Sequence, residues 1–306
     1  MNYREEQRQR AIDLRDGLFK DPGDGLFKNI QREFVLSKPD LNIWTGIRED
    51  AIEYYNENRI SWWDSGNEPT GHLLSSQISC LNHLYFLRQR EDASTSLLRS
   101  INGKIQKAIK IDTGFVEFEK VGSQKLGGEK QLTRGANCTS IDALMLGEDI
   151  NGERILFLIE WKYTESYSAE SKLKGNSGKR RLEAYDELLN SDDCPIIIDN
   201  HKDLYYEPFY QLMRQTLLGW EMVKRNEYKS KKWIHLHVIP DQNKELKNNI
   251  TSPGLKDNGE NIEIAWKSVL RDPDKYVSID PKKLLLSINN CPDTKSLLSY
   301  LDKRYW

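Results

Sequence analysis

Residues 154–163 read RILFLIEWKY, and this stretch decides how the neighbouring chain is organised. Apolar residues run from Ile155 without a polar residue until Glu160, and Lys162 follows two positions later. Because alternate residues of a strand share a face, Glu160 and Lys162 point the same way and their apolar neighbours point into packing. A carboxylate and an ammonium at the end of a buried strand cost free energy unless something compensates them. The stretch therefore predicts a buried strand that ends in a functional site.

The composition excludes several classes of protein. The chain has 306 residues, which suits one large domain or two smaller ones, and its formal net charge is −2, so any affinity for nucleic acid depends on a local patch. The four cysteines have no CxxC spacing, which argues against a zinc knuckle or a disulfide framework. No run approaches the roughly 18 apolar residues of a membrane span, and the charged N-terminus is not a signal peptide. We expect a soluble cytoplasmic protein.

The order of predicted elements indicates an α/β fold. Strands are predicted over 115–121, 139–146, 155–163 and 232–239. Helices are predicted over 3–15, 75–90, 93–109, 180–189 and 206–224, with shorter helical pieces at about 261–270, 281–288 and 294–302. Either Ser75 or Ser76 is a suitable N-cap, and Asp280-Pro281 is a good helix start. Helix, three strands, helix and strand in this order predict a mixed central sheet flanked by helices.

The chain is predicted to divide into three parts. Residues 1–74 form a helical N-terminal extension, 75–240 form the α-β-β-β-α-β core, and 241–306 form a helical C-terminal extension packed on that core. Five aromatic residues of the first part are expected to form a satellite core, with a base-stacking platform as the alternative: Trp44, Tyr54, Tyr55, Trp62 and Trp63.

A turn fixes how the second and third strands pair. A three-residue hairpin loop favours Gly at its third position, and Ile150-Asn151-Gly152 fits this pattern. Counting back along both strands then places Asp142 directly opposite Glu160, whose Cβ atoms would be about 5 Å apart. A bulge at Gly147 would shift this count. Like charges so close destabilise a sheet, and a divalent cation between them removes the penalty.

Two carboxylates on adjacent strands are suitable ligands for Mg²⁺, which prefers few protein ligands and keeps several waters. The ion would lower the pKa of a bound water and neutralise charge on a phosphoryl transition state. Lys162, on the same face as Glu160, would orient or deprotonate that water or stabilise the phosphoryl oxygens. Asp142 and Glu160 are therefore the predicted metal ligands, and Lys162 completes the predicted catalytic group.

The constellation Asp142, Glu160 and Lys162 resembles the PD-(D/E)XK nuclease superfamily of restriction endonucleases and repair nucleases. The motif lies here as Ile141-Asp142 and then Glu160-Trp161-Lys162, with Ile where the family name shows Pro. The segments SSQ, TSIDAL, IEWKYTE and YQLMRQ look like a bacterial restriction-endonuclease-like subgroup. The resemblance covers about 75–240. It implies Mg²⁺ dependence, with Mn²⁺ as a substitute, and hydrolysis of phosphodiester bonds, usually of DNA, and it is compatible with a role in restriction or genome defence.

Further polar residues are predicted to bind the substrate. No Glu precedes the sheet on the helix at 75–90, and Gln77 is the nearest candidate there. A basic loop and a later helix supply the remaining candidates: Lys172, Lys174, Lys179, Arg180, Gln211 and Arg214. Basic side chains beside an active site bind phosphates, although a solvated charge run explains each of them equally well.

Three alternatives remain open at this point. Glu160 and Lys162 form an ordinary ion pair at a strand end, or the fold binds nucleic acid without catalysis. A zinc enzyme would use His235 and His237, but we favour two histidines on the solvated face of an edge-like strand. A homodimer, common among restriction-type nucleases, has no independent support in the sequence.

Overall fold

The computed structural model describes residues 2–64, 66–129 and 138–306. In these ranges the α-helices are α1 Tyr3–Asp13, α2 Arg48–Glu57, α3 Ser76–Leu84, α4 Glu91–Ile101, α5 Gly175–Leu189, α6 Phe209–Lys224, α7 Lys244–Lys247, α8 Ile262–Lys267, α9 Pro281–Leu286 and α10 Lys295–Arg304. The strands are β1 Gly25–Phe27, β2 Ile30–Arg32, β3 Ile105–Ile109, β4 Val116–Lys120, β5 Ile141–Asp149, β6 Arg154–Trp161, β7 Ser230–Val238 and β8 Tyr276–Ile279. The fold is α/β, as predicted.

The central sheet mixes antiparallel and parallel pairing. Strands β3 and β4 lie one after the other along one side of β5, and the sheet continues through β6, β7 and β8. β5 pairs antiparallel with β6, whereas β6, β7 and β8 run parallel. β1 and β2 form a separate hairpin. The predicted mixed sheet is confirmed.

Helices cover both faces of the sheet because its two faces are apolar for most of their length. One apolar cluster joins α2, α3, α4, α9 and α10 to residues such as Ala143, Phe157 and Trp161. The other joins α5, α6 and α8 to residues such as Leu144 and Leu158. The alternation along β6 therefore sends its odd-numbered residues to the first layer and its even-numbered residues to the second, as the period of a strand requires.

The β5–β6 hairpin has the predicted turn. Asp149 N donates to the carbonyl oxygen of Glu153, and Gly152 has a φ of 77°, in the region that favours glycine. Pairing runs without a shift from Glu148 to Ala143. Gly147 hosts no bulge. A Cβ there would lie 2.9 Å from Cδ1 of Ile105, so this glycine allows close packing instead.

The sequence prediction missed the β1–β2 hairpin of the N-terminal part and two strands of the central sheet. The predicted helix over 93–109 ends at Ile101, and Ile105–Ile109 is strand β3. Tyr276–Ile279 is strand β8, which covers the far side of β7. Helix starts were predicted better: Ser75 caps α3, and the Asp280 carboxylate accepts from the backbone of Lys282 at the start of α9. Capping side chains act locally, so they are readable from sequence.

The C-terminal part of the chain contributes to the first apolar cluster. Leu285, Leu297 and Leu301 pack in the first cluster together with α3 and β6.

The three-part division at residues 74 and 240 stays a prediction. The glycine-rich, basic segment 122–137, for which the sequence predicts a loop, lies partly outside the described residues. Among the described helices, none is long and apolar enough to cross a membrane.

Candidate active site

Asp142 and Glu160 lie side by side on adjacent strands. The hydrogen-bonded ladder ends with the pair Ala143 and Ile159, and one further step in this register sets Asp142 opposite Glu160. The backbone N–H of Trp161 donates to Asp142 Oδ2 at 2.8 Å, which fixes one carboxylate oxygen across the strand pair. The predicted juxtaposition of the two carboxylates is present in the structure. Ala143 and Met145 pack in the first cluster, on the opposite face, whereas Ile141 packs in the second cluster.

Lys162 joins the Glu160 carboxylate to helix α6. Its Nζ donates to Glu160 Oε1 and, at 2.6 Å, to Gln211 Oε1. The other oxygen of Glu160 accepts from Nε2 of Gln215. Glu160 and Lys162 are each only 4% exposed, so this is a buried ion pair and not the solvated strand-end pair considered above. Burial without the surrounding hydrogen bonds would make such a pair costly.

The pKa values of Glu160 and Lys162 are shifted so that both stay charged, whereas the pKa of Asp142 is shifted against its charged form. Burial alone would raise the pKa of Glu160, but Lys162 and the hydrogen bonds hold it below its usual value. Burial alone would lower the pKa of Lys162, but Glu160 holds it well above its usual value. Burial raises the pKa of Asp142, and the charge of Glu160 raises it further. Lys162 is therefore a cation at neutral pH, while the ionised form of Asp142 is disfavoured unless another cation compensates it.

A third carboxylate, Glu119 of β4, lies on the other side of Asp142. Its charge also raises the pKa of Asp142, and its side chain accepts from Ser140 Oγ at 3.0 Å and from Gln77 Nε2 at 3.1 Å. Gln77 therefore contacts this carboxylate rather than Asp142 or Glu160. Glu119 has a φ of 47°, which is unusual for a residue other than glycine.

Helix α6 holds two glutamines above the ion pair because it lies close to the sheet. A Cβ on Gly219 would be 2.9 Å from Cδ1 of Leu158, so glycine permits this approach. Gln211 and Gln215 are four residues apart and share a helix face, which explains why both reach the Glu160–Lys162 pair. Gln211 was predicted to line the site, whereas Gln215 was missed.

His235 and His237 correct the sequence prediction. Both are fully buried on β7, which lies between β6 and β8 and is not an edge strand. His235 Nε2 donates to Gln215 Oε1 at 2.8 Å, and its Nδ1 accepts from the Thr216 hydroxyl at 3.1 Å. Burial lowers the pKa of His235 to about 4, so the ring is neutral. The prediction that these histidines lie on a solvated face was therefore wrong. It failed because strand β8, which lies beside β7, was not recognised in the sequence.

The basic residues after β6 are mostly paired with nearby acids. Lys172, Lys174 and Lys179 lie 3.4, 2.7 and 3.8 Å from the carboxylates of Glu207, Glu170 and Glu183. Lys172 and Lys174 line a cavity of about 300 Å³ together with Tyr167, Arg181 and others. The cavity adjoins the site through Tyr167, whose ring centroid is 5.8 Å from Lys162 Nζ. Lys179 and Arg180 are exposed on α5, away from these contacts.

Arg214 lies one turn away from the ion pair. Its Nε donates to Thr139 Oγ1 at 3.0 Å, and its guanidinium lies 5.1 Å from the Tyr210 ring centroid. It is partly buried and contacts the segment that leads into β5, not the carboxylates. Of the predicted substrate-binding residues, Gln211 alone bonds directly to a member of the Asp142–Glu160–Lys162 group within the described parts of the chain.

The donor set suits a hard cation held by few protein ligands. No group of three or more His, Cys, Asp or Glu side chains is arranged to hold a metal ion within residues 2–64, 66–129 and 138–306. Mg²⁺ can be held by one or two carboxylates and waters, and Asp142 lies beside Glu160 with one hydrogen bond, from the Trp161 N–H, to one of its oxygens in the described residues. The chemistry of Asp142 and Glu160 therefore fits Mg²⁺.

Comparison with known proteins places the chain in a family. The mixed sheet and its flanking helices are consistent with a restriction-endonuclease-like α/β fold. The family model described as "Restriction Endonuclease associating with ARP" matches residues 9–306, so the chain belongs to that family. The description indicates a nuclease with a nucleic-acid substrate. No curated protein and no solved structure gave a significant match to the chain.

Proposed function

We propose that the protein is a Mg²⁺-dependent endonuclease of the PD-(D/E)XK type that hydrolyses phosphodiester bonds of DNA. The observation that carries this proposal is the placement of Asp142 beside Glu160, with Lys162 bonded to Glu160 at the end of the same strand. Family membership supports the nuclease activity. A role in restriction or genome defence follows from the family description and stays a proposal.

Asp142 and Glu160 would hold the ion. When bound, Mg²⁺ supplies a water of lowered pKa and charge neutralisation at the phosphate. Because the pKa of Asp142 is raised by burial and by Glu160, this carboxyl must lose its proton before it can act as a ligand. Ion binding is therefore expected to strengthen as the pH rises through that raised pKa.

Lys162 is proposed to act as a cation rather than as a base. Glu160 holds its pKa well above the usual value, so its ammonium keeps its proton at neutral pH. A positioned ammonium stabilises negative charge that develops on phosphoryl oxygens in the transition state. Gln211 Oε1 accepts a hydrogen bond from the Lys162 ammonium and limits its orientation. A second N–H donates to Glu160, which leaves the third N–H for the substrate.

Plasmid nicking tests the proposal. Supercoiled plasmid is incubated with Mg²⁺ and either wild type, Lys162→Met or Glu160→Gln, variants that keep side-chain volume. We expect each to lower the rate by about 100-fold or more, the scale seen when a charge-stabilising group is removed. Lys232→Ala is the matched control, because Lys232 is also a strand lysine paired with a glutamate, Glu153. Circular dichroism verifies that each variant is folded.

The alternative is a nucleic-acid-binding protein without catalysis. One observation favours it: both oxygens of Glu160 accept hydrogen bonds, from Lys162 and from Gln215, and a metal would have to share or replace these contacts. Cleavage that is absent in wild type, or equal in Lys162→Met, Glu160→Gln and wild type, would contradict the nuclease proposal. Binding of the same plasmid without cleavage would then support the alternative.

A further inference from the structure

An exposed aromatic surface lies near the candidate active site. Trp63 is 46% exposed, and its ring is stacked on that of Phe27 with 5.8 Å between centroids and 28° between planes. Ile30 pairs with Phe27 across the β1–β2 hairpin and is 52% exposed. We call this surface the Phe27–Trp63 face. Adjacent exposed apolar side chains are unusual on a soluble surface unless they contact a ligand or partner.

His72 packs against both rings of the Phe27–Trp63 face. The buried ring of His72 meets Phe27 at 4.8 Å and Trp63 at 5.3 Å between centroids, edge-on in both cases. Lys28 and Asn29, at the tip of the hairpin, both have positive φ, as in the tight two-residue turns that match strand twist. The other aromatic residues of the predicted satellite core pack inside, so Trp63 differs from its neighbour Trp62, which is 2% exposed.

Exposed cations lie beside this face, and one carboxylate, Glu165, lines the same cavity as Arg4 and Trp63. Arg4, Lys28 and Arg32 are exposed, and none forms an ion pair with another part of the chain that the structure describes. Lys28 Nζ lies 5.2 Å from the Phe27 ring centroid, and Arg4 lines a cavity of about 200 Å³ together with Trp63. In the predicted basic loop, by contrast, Lys172 and Lys174 each form an ion pair with a glutamate. Arg4, Lys28 and Arg32 therefore place positive charge beside the aromatic rings.

One side chain connects this face to the carboxylates. The backbone N–H of Trp63 donates to Gln77 Oε1 at 2.8 Å, and Gln77 Nε2 donates to Glu119, which lies beside Asp142. Thr164 lines the same cavity as Trp63 and follows Lys162 by two residues. A strand that passed through the candidate active site would thus meet this face within a short distance.

We propose that the Phe27–Trp63 face binds an unpaired base of the DNA substrate next to the cleavage site. The inference rests on the proposed function and names its substrate class: DNA with a single-stranded stretch beside the scissile bond. A base would stack on the Trp63 ring, since stacking needs no particular base identity. Arg4 and Lys28 would bind the flanking phosphates. Charge complementarity and aromatic exposure together select a nucleic-acid strand over an apolar partner.

Binding of a short oligonucleotide tests the role of the ring. Fluorescence anisotropy is measured with a labelled 12-nucleotide DNA strand and with the same sequence as duplex, in EDTA so that cleavage cannot contribute. We expect Trp63→Ala to weaken binding of the single strand about fivefold or more and duplex binding less than twofold. Trp63→Phe, which keeps a stacking ring and reports on folding of the site, should retain most of the affinity.

The matched controls come from other surfaces of the chain. Ile264 is also 46% exposed, so Ile264→Ala tests a general loss of apolar surface. For the cations, Arg4→Ala with Lys28→Ala should weaken binding and lower the slope of log affinity against log salt by about one for each phosphate that is no longer bound. Lys256→Ala, an exposed lysine elsewhere, should leave that slope unchanged.

The outcomes separate this inference from the nuclease proposal. Single-strand affinity of Trp63→Ala within twofold of wild type would overturn the inference and leave the face as a protein-contact surface. An equal loss in Ile264→Ala would also overturn it. Because binding is measured without Mg²⁺, a nuclease proposal that fails in plasmid nicking does not alter this result, and a failed binding test leaves the cleavage result standing.

Discussion

At the scale of single residues, the site is a balance of buried charges. Glu160 and Lys162 compensate each other, whereas Asp142 lies between Glu160 and Glu119 with a raised pKa caused by burial and by Glu160. The neutral His235 fixes the orientation of Gln215, because its Nε2 donates to the amide oxygen and leaves the amide nitrogen to donate to Glu160. A metal ligand at Asp142 needs the ionised carboxylate, whereas the stability of the fold is greater when this carboxyl is uncharged.

Asp142→Asn is predicted to abolish cleavage and to stabilise the fold. The folded-state pKa of Asp142 is raised, so its contribution to stability is present below the ordinary carboxyl pKa and is lost as the pH rises through the folded-state value. Asn keeps an oxygen for Trp161 N–H and carries no charge. We expect a gain of up to about 1 kcal/mol at neutral pH, the scale of cross-strand pairs.

Urea denaturation in EDTA between pH 4 and pH 8 measures this gain. The difference between Asp142→Asn and wild type should grow with pH and shrink toward the acidic end, where the carboxyl of the unfolded protein begins to take up a proton as well. Asp257→Asn, at an exposed carboxylate, is the control. A variant less stable than wild type at pH 8 would show that Asp142 is not destabilised by its neighbours.

At the scale of elements, the β5–β6 hairpin brings the two carboxylates together. A slip of one residue would send Asp142 to the opposite face, so the register matters as much as the residues. The Asn151-Gly152 turn predicts this register, and Gly147 does not interrupt it. Helix α6 then adds the two glutamines, an arrangement that depends on Gly219 and the layer below it.

Gly152→Ala is predicted to destabilise the protein through backbone conformation alone. A Cβ there would contact no other atom within 4 Å, but the residue has a φ of 77°, so the cost is about 1 to 2 kcal/mol. Gly103→Ala is the matched control, because that glycine also has open space and no positive φ. Urea denaturation compares them. Equal free energies of unfolding for the two variants would contradict the assigned role of the turn.

At the scale of the whole molecule, residues from both ends of the chain share the core that supports the site. Asn82 of α3 donates to the carbonyl oxygen of Asn42 at 3.0 Å and to the Tyr305 hydroxyl at 3.0 Å. Trp161, between Glu160 and Lys162, packs in the same apolar cluster as Leu301. The C-terminal segment is therefore expected to unfold together with the sheet.

Leu301→Ala is predicted to lower the free energy of unfolding by about 2 to 5 kcal/mol, because the side chain is fully buried. Leu286→Ala, at a leucine that is 53% exposed on α9, should change it by less than about 0.5 kcal/mol. Urea transitions followed by circular dichroism and by residual DNA cleavage should shift together. A variant that keeps the wild-type midpoint would mean that the C-terminal segment does not stabilise the core.

The sequence by itself determined the parts of the protein that depend on short-range periodicity. The alternation in residues 154–163 and one glycine turn sufficed to predict strand β6, its register with β5 and the group Asp142, Glu160 and Lys162. Only the tertiary structure decided which other side chains meet this group. Glu119, Gln215 and His235 reach it through packing of β4, α6 and β7, and β8 buries the histidines. Contacts between elements distant in the chain leave no local period, so no pattern in the sequence could reveal them.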